Sequence, residues 1–511
     1  MQFFRASAAA AALLTIATPA SAEWRKATSQ HFEVYSEGPE KSLTDFTARL
    51  ERFDALLHKV LGIRTRDDGI PRLNVFLVAN TASVRKAMNA KRSSIAGFYS
   101  ARPGGAMIVS PRAMAVSSKL DLDAETILFH EYAHHFMMQN FPVAYPAWYV
   151  EGFAEYFSTA EPKADGTATI GRPATHRFYG LGTMSMMPTK ALFAGMTGKD
   201  AASIDLYYGQ SWLLTHYLSF AKDRQGQLSD YLNAMNRGLS SENAAIEAFG
   251  PLDKLDKDLE AYKKARRISF LELKNFQVSP PQVKVETLSE AEGALIPFRI
   301  QRIDGLDTED GAAQIAEFRA LAQRHAGHPA ANDALTSIAI AEKKLDEADA
   351  ANNAYLTYKP NDSRALLRKA EIAMERLEQK SSPTAAEWKQ VRPMIVNANR
   401  ANPNDPLVLT AYYRSFLREG VKPTPVAFDG LRRALQLAPQ SSEIRFMLAH
   451  HLMQEKRNEE ARVVIAPLAY SPHESGSRTA ALQILAKIDG KPAPEGEDEE
   501  QETAEVETKA D

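Results

Sequence analysis

The chain has 511 residues, 44% hydrophobic and 24% charged, and its 61 basic and 64 acidic side chains leave a formal net charge of −3. That length exceeds one ordinary hydrophobic core, so two domains with a further small element are expected, and the balanced charge with no long basic stripe excludes nucleic acid as a partner. Cysteine is absent, which removes disulfides, a lipid-modified N-terminal cysteine and thiolate metal sites together, so any metal must be held by histidines and carboxylates.

Residues 1–22 read as a secretory leader. Arg5 supplies a short basic region, Ala8 to Thr18 an apolar run, and Pro19-Ala20-Ser21-Ala22 a small-residue cleavage site, with cutting expected after Ala22. The alternative is an uncleaved anchor, but this run falls well short of the ~20 apolar residues that cross a bilayer. The mature chain is therefore expected to be periplasmic or secreted, with no stable membrane insertion.

From 23 to 276 strands and helices alternate. His31 to Tyr35 has the period of two of an edge strand, and Leu43 to Leu61 carries apolar residues at helical spacing before the stop at Gly62. Arg72 to Val78 reads as a buried strand. Ile95 to Ser100 and Ala106 to Ser110 read as a hairpin turned by Arg102-Pro103-Gly104-Gly105. Asp121 to Glu125 supplies cap-type residues for a helix running through His130 and His134 to about Met138, and further helices fit Val150 to Phe157, Leu206 to Ala221 and Leu255 to Arg266. The fold class expected is an α+β domain over 23–276, a linker over 277–304 around Ser279-Pro280-Pro281, and an all-α repeat domain over 305–490.

In that last region prolines 329, 360, 403, 439 and 472 are separated by 31, 43, 36 and 33 residues. Small or apolar residues recur at matched offsets: Ala348 and Ala427 lie twelve before their prolines, and Tyr355, Ala398 and Ala434 lie five before theirs. The pattern resembles degenerate tetratricopeptide repeats, helix pairs that must stack to bury an apolar face. A generic helical bundle is the alternative. Residues 491–511 read as a disordered acidic tail.

The chemistry-bearing segment is His130-Glu131-Tyr132-Ala133-His134. Residues four apart lie one above the other on a helix, so both imidazoles can face one ion while Glu131 stands beside it as a base toward water. A catalytic Zn2+ needs a third protein ligand and an open fourth position. Glu151, seventeen residues after His134 on a second helix, can supply it if the helices lie side by side. Glu155, one turn further on, can accept the second ring N–H of His130 or His134; the alternative is a solvated carboxylate. His135 must point about 100° away.

The combination of His-Glu-x-x-His with Trp148-Tyr149-Val150-Glu151-Gly152-Phe153-Ala154-Glu155-Tyr156 resembles the gluzincin metallopeptidases, particularly the peptidase MA-like family. The resemblance implies a zincin-like domain, Zn2+ on His130, His134 and Glu151, and Glu131 activating the water on the metal's fourth position. Leu206 to Trp212 is similar to the stretch in which that clan places a tyrosine near the scissile carbonyl, and Tyr208 is the match; helix packing is its other reading. The clan also places an edge strand before the metal helix, here Gly97 to Ser100, where a substrate backbone pairs. No Gly-x-Met-Glu-Asn segment is evident, so the expectation is an endopeptidase acting on peptides or proteins, with the repeats binding substrate or a protein partner. Two other readings stay open: a periplasmic binding or assembly factor whose front domain is a scaffold, and a zinc hydrolase of non-peptide substrates.

Overall fold

The computed structural model describes residues 23–64, 69–88, 95–114, 116–118, 120–195, 200–265, 267–274, 276, 281–304, 311–470 and 476–492. The expected leader, 1–22, and all but the first two residues of the expected acidic tail lie outside the described residues.

The front region is built on β1 (Arg25–Thr28), β2 (Phe32–Ser36), α1 (Glu40–Leu61), β3 (Leu73–Val78), α2 (Thr81–Ala87), β4 (Phe98–Arg102), β5 (Gly105–Pro111), α3 (Ala124–Asn140) and α4 (Ala147–Ser158). There follow β6 (Glu161–Pro162), β7 (Ala168–Ile170), α5 (Phe178–Thr183), α6 (Thr189–Ala194), α7 (Ala201–Phe220), α8 (Gln227–Asn236), α9 (Ser241–Phe249), α10 (Leu252–Lys263), β8 (Leu271–Leu273), β9 (Lys284–Thr287), α11 (Glu290–Ala294) and α12 (Ile296–Asp304). Six strands form one sheet in the order β4-β5-β3-β2-β1-β9, with β2, β3 and β5 parallel and the outer pairings antiparallel; β6, β7 and β8 form a second, small sheet.

Two expectations need correcting. The strand at His31–Tyr35 is not at an edge: β2 lies between β1 and β3, and its burial is nearly continuous because helices cover both faces of the sheet. The stretch read as a linker, 277–304, contains β9, which pairs with β1 from Arg25↔Thr287 to Thr28↔Lys284, and two helices. Its polar composition suits a sheet edge, where one strand face meets water.

The main core lies on one face of the sheet, under α1 and α3. Leu50, Phe53 and Leu57 of α1 meet Leu128, Phe129 and Ala133 of α3 over Val75 and Ile108, with the Phe53 and Phe129 rings stacked 3.9 Å apart. On the other face Tyr35, Phe76 and Val109 are covered by Val84 of α2 and by Ile296 and Ile300 of α12. The front region thus closes at about residue 304.

The helices beyond are α13 (Gly311–Arg324), α14 (Pro329–Ala341), α15 (Leu345–Tyr358), α16 (Ser363–Glu378), α17 (Ala385–Ala401), α18 (Pro406–Glu419), α19 (Pro425–Leu437), α20 (Ser442–Gln454), α21 (Asn458–Ala469) and α22 (Gly476–Asp489). They form a repeat-like all-α array. Pro360, Pro403 and Pro439 each follow the second helix of a pair, and Ala348, Ala398, Ala427 and Ala434 are fully buried where partner helices approach. The array leans on the front region: Arg364 Nη2 donates to Gly104 O at the β4–β5 turn (3.0 Å), and Tyr470 packs on the main core. Among the described residues no helix is long and apolar enough to cross a membrane.

A fragment ending at 276 lacks β9 and α12 and loses the burial of two isoleucines, about 3 to 6 kcal/mol. Residues 23–276 should therefore melt roughly 10 °C or more below residues 23–304. Equal melting by circular dichroism would place β9 and α12 outside the folding unit.

Candidate metal centre

Helix α3 starts where Asp123 accepts from the amides of Glu125 and Thr126, both at 2.9 Å, and its register sets His130 and His134 on the face toward α4. Their Nε2 atoms are 3.0 Å apart. Glu151 Oε2 lies 3.4 Å from the first and 3.5 Å from the second, on a side chain almost wholly buried. Three donors at ~2.0–2.1 Å from one tetrahedral ion would sit about 3.3 Å apart, so this set has the spacing of a three-ligand site.

Charge points the same way. Burial alone opposes protonation of His130, yet the carboxylates of Glu151 and Glu155 outweigh it and lift its pKa from 6.5 to about 10. The pocket therefore calls for a positive charge among these groups, which a proton or a cation can supply.

Two glycines permit this convergence. A Cβ on Gly152 would lie 2.3 Å from Thr215 Oγ1 and 2.5 Å from Ser211 O, so α4 and α7 approach closely only because the residue after Glu151 has no side chain. A Cβ on Gly97 would lie 2.5 Å from Ile127 Cγ2 and 3.5 Å from Glu131 Cγ, which brings the chain entering β4 against Glu131. Trp148 anchors the start of α4, its indole N–H donating to Tyr231 OH at 3.0 Å.

Glu155 is fully buried rather than solvated. One oxygen lies 3.2 Å from His130 Nδ1 and receives Arg177 Nη2 (2.6 Å) and Nε (3.1 Å); the other is 2.9 Å from His176 Nε2. Burial would raise its pKa, but Arg177, His130 and His176 prevail and hold the carboxyl well below its usual range. Arg177 also reaches Asp205 Oδ1 (3.3 Å), whose other oxygen accepts from the Gly180 amide (2.7 Å). His176, Arg177 and Asp205 were not singled out from the sequence; no spacing signal links them to Glu155.

Tyr208 lies over this group. Its ring is nearly parallel to that of His130, with centroids 5.9 Å apart, and the Arg177 guanidinium sits 4.9 Å from its centre. Burial and then Glu151 push its pKa well above 10, so the phenol stays protonated and able to donate. His135 faces away, 3.2 Å from Tyr99 OH, and burial pulls its pKa down to about 4.

A second group of ligand-type residues, His31, Glu51 and Asp54, behaves differently. His31 Nδ1 is 2.7 Å from Glu51 Oε2, the His31 amide donates to Glu51 Oε1 (2.8 Å), and Tyr132 OH donates to Asp54 Oδ1 (2.5 Å). These are donor–acceptor pairs, which need no cation to explain them.

No family model and no curated protein matches the chain. Among solved structures it is similar to a thermophilic TPR protein of Thermus thermophilus, at 18% identity and a TM-score of 0.33, covering 38% of this chain and 98% of that one.

Because the folded-state pKa of Glu155 is depressed, its contribution to stability is present above the unfolded value of about 4.3 and is lost as pH falls below it. Glu155→Gln should cost about 3 to 5 kcal/mol at pH 7 in chelator, by leaving Arg177 buried without its main counter-ion, and should flatten the acid limb of the urea-unfolding profile. An unchanged urea midpoint at pH 7 would contradict the buried ion pair.

Proposed function

We propose that the chain is an exported zinc-dependent peptidase, most simply an endopeptidase of the gluzincin type. The observation that carries this reading is the convergence of His130 Nε2, His134 Nε2 and Glu151 Oε2 within 3.5 Å of one another, with Glu131 on the same helix. The donor set fits the metal: two imidazoles and one carboxylate are a catalytic rather than a structural complement.

When bound there, Zn2+ supplies Lewis-acid polarisation of a carbonyl and brings the pKa of water toward neutrality. Glu131 accepts the proton of the attacking water and passes it to the leaving amine. Tyr208 donates to the oxygen on which negative charge develops. Glu155 fixes the orientation of the His130 ring through Nδ1, and Arg177 and His176 fix Glu155. Substrate is taken as an extended strand along β4, which is an edge of the sheet and pairs on one side with β5. The leader-like residues 1–22 support a location in the periplasm or outside the cell, and the helical repeats serve protein–protein contact.

The repeats also support a second reading, a periplasmic binding or assembly factor with the front domain as scaffold. Metal content and turnover separate the two. Purified wild type should carry about one zinc per chain, and His130→Ala and Glu151→Ala should lose it. Glu131→Gln should keep the metal while cleavage of a peptide library falls by about 10²–10⁴-fold. Absence of zinc from the wild type, or full activity in Glu131→Gln, would sink the peptidase reading.

A further inference from the structure

Where the repeats meet the end of the metal-bearing helix there is an open cavity of about 510 Å³, lined by α19, α20 and α21 on one side and by Gln139 and Pro142 on the other. Its walls are largely apolar, with Phe428, Leu435, Leu448, Leu452 and Val464 facing in. Arg432, Gln436, Arg457, Glu459 and Glu460 line it as well, and two further polar residues of the lining, Arg445 and Gln139, are buried.

Arg445 on α20 is 3% exposed. Its Nε donates to Pro439 O (2.7 Å) and its Nη1 to Val464 O (2.5 Å), which aims the guanidinium but leaves its charge unanswered. Among the described residues no carboxylate lies within ion-pair distance of it, and burial alone pulls its pKa down to about 10. The carboxylates at the cavity mouth are engaged elsewhere: Glu460 pairs with Arg457 at 2.6 Å, and Glu459 lies 3.6 Å from Arg462. A buried cation without an anion costs several kcal/mol in an apolar setting, whereas a bound carboxylate turns the same group into a strong, charge-assisted contact.

Gln139 is 7% exposed, and both its side-chain amide atoms are buried with no hydrogen-bond partner among the described residues. A primary amide offers one donor group and one acceptor, the complement of a peptide group. Leaving both unused is costly unless a ligand takes them.

We propose that this cavity binds the free C-terminus of a polypeptide ending in apolar residues. Arg445 takes the terminal carboxylate, Gln139 the last peptide group, and the leucine and phenylalanine walls the terminal side chains. Arg432 and Arg457 also line the cavity, but Arg432 is exposed and Arg457 pairs with Glu460, so the buried charge to be met is the single one of Arg445, which a carboxylate matches. The site lies on the helices opposite the α3 end, five residues beyond His134, or about 7.5 Å along the helix axis. The inference concerns binding and does not rest on the hydrolytic reading.

The test uses the full mature chain carrying Glu131→Gln, so that no probe is cut whether or not the protein is a peptidase. A short peptide with an N-terminal fluorophore and a C-terminal Leu-Phe is titrated by anisotropy, beside the same peptide as its C-terminal amide and beside decanoate as competitor. The free acid should bind roughly tenfold or more tightly than the amide, and Arg445→Gln should abolish that difference. Because Arg445 also ties down two carbonyls, Leu435→Trp, which fills the cavity from α19, and Gln139→Leu should each weaken the free acid while leaving the circular dichroism spectrum unchanged. Equal binding of acid and amide overturns the proposal. So does wild-type affinity in Leu435→Trp, or binding of decanoate without the peptide.

Discussion

A carboxylate that meets no water has to be met by cations and N–H groups, and Glu155 satisfies that requirement with partners drawn from two other stretches of chain. His130 comes from α3, His176 and Arg177 from the turn before α5, and Glu155 itself from α4. Arg177 carries the network on to Asp205 of α7 and lies against the ring of Tyr208. Shifting any one of these segments would strand a buried charge, so the geometry of the three donor atoms is enforced from behind. Electrostatics, rather than apolar packing alone, fixes where the second helix stands relative to the first.

Packing does the complementary part. α4 can present Glu151 to α3 only if its opposite face lies close on α7, and Gly152 makes that approach possible. The neighbouring positions of the same helix thus have opposite tasks: Glu151 faces the histidines, Gly152 yields space to Ser211 and Thr215, and Phe153 fills the core. A side chain at 152 would push α4 away from α7 or tilt it, and either movement shifts Glu151.

What could be read from the sequence was whatever depends on short-range periodicity. The four-residue spacing of His130 and His134, the caps of α3 and the proline intervals of the repeats are local signals, and the helices stand within a few residues of where those signals put them. What could not be read depends on partners far apart in the chain. β1 and β9 are short and polar, and neither is recognisable until the other is beside it, some 260 residues away. The Pro-rich approach to β9 suggested a linker because nothing local announces a pairing edge. Arg177 and His176 escaped notice for the same reason: each is an ordinary polar residue until Glu155, more than twenty positions earlier, is folded against it.

Two clusters of histidine and acid in one domain also show why residue type alone does not define a site. At His31, the ring and the amide both meet Glu51, Tyr132 donates to Asp54, and the network ties α1 to Tyr132 on α3 as a structural clasp. At His130 and His134 two like nitrogens face each other at 3.0 Å, with one carboxylate oxygen near both. Two imidazole nitrogens at that distance share at most one proton, and the group calls for added positive charge, which a proton or a cation can supply. The same helix therefore uses one face, through Tyr132, to be held in place and the other, through His130 and His134, to present donors. The clasp on the first face is what allows the second to stay rigid.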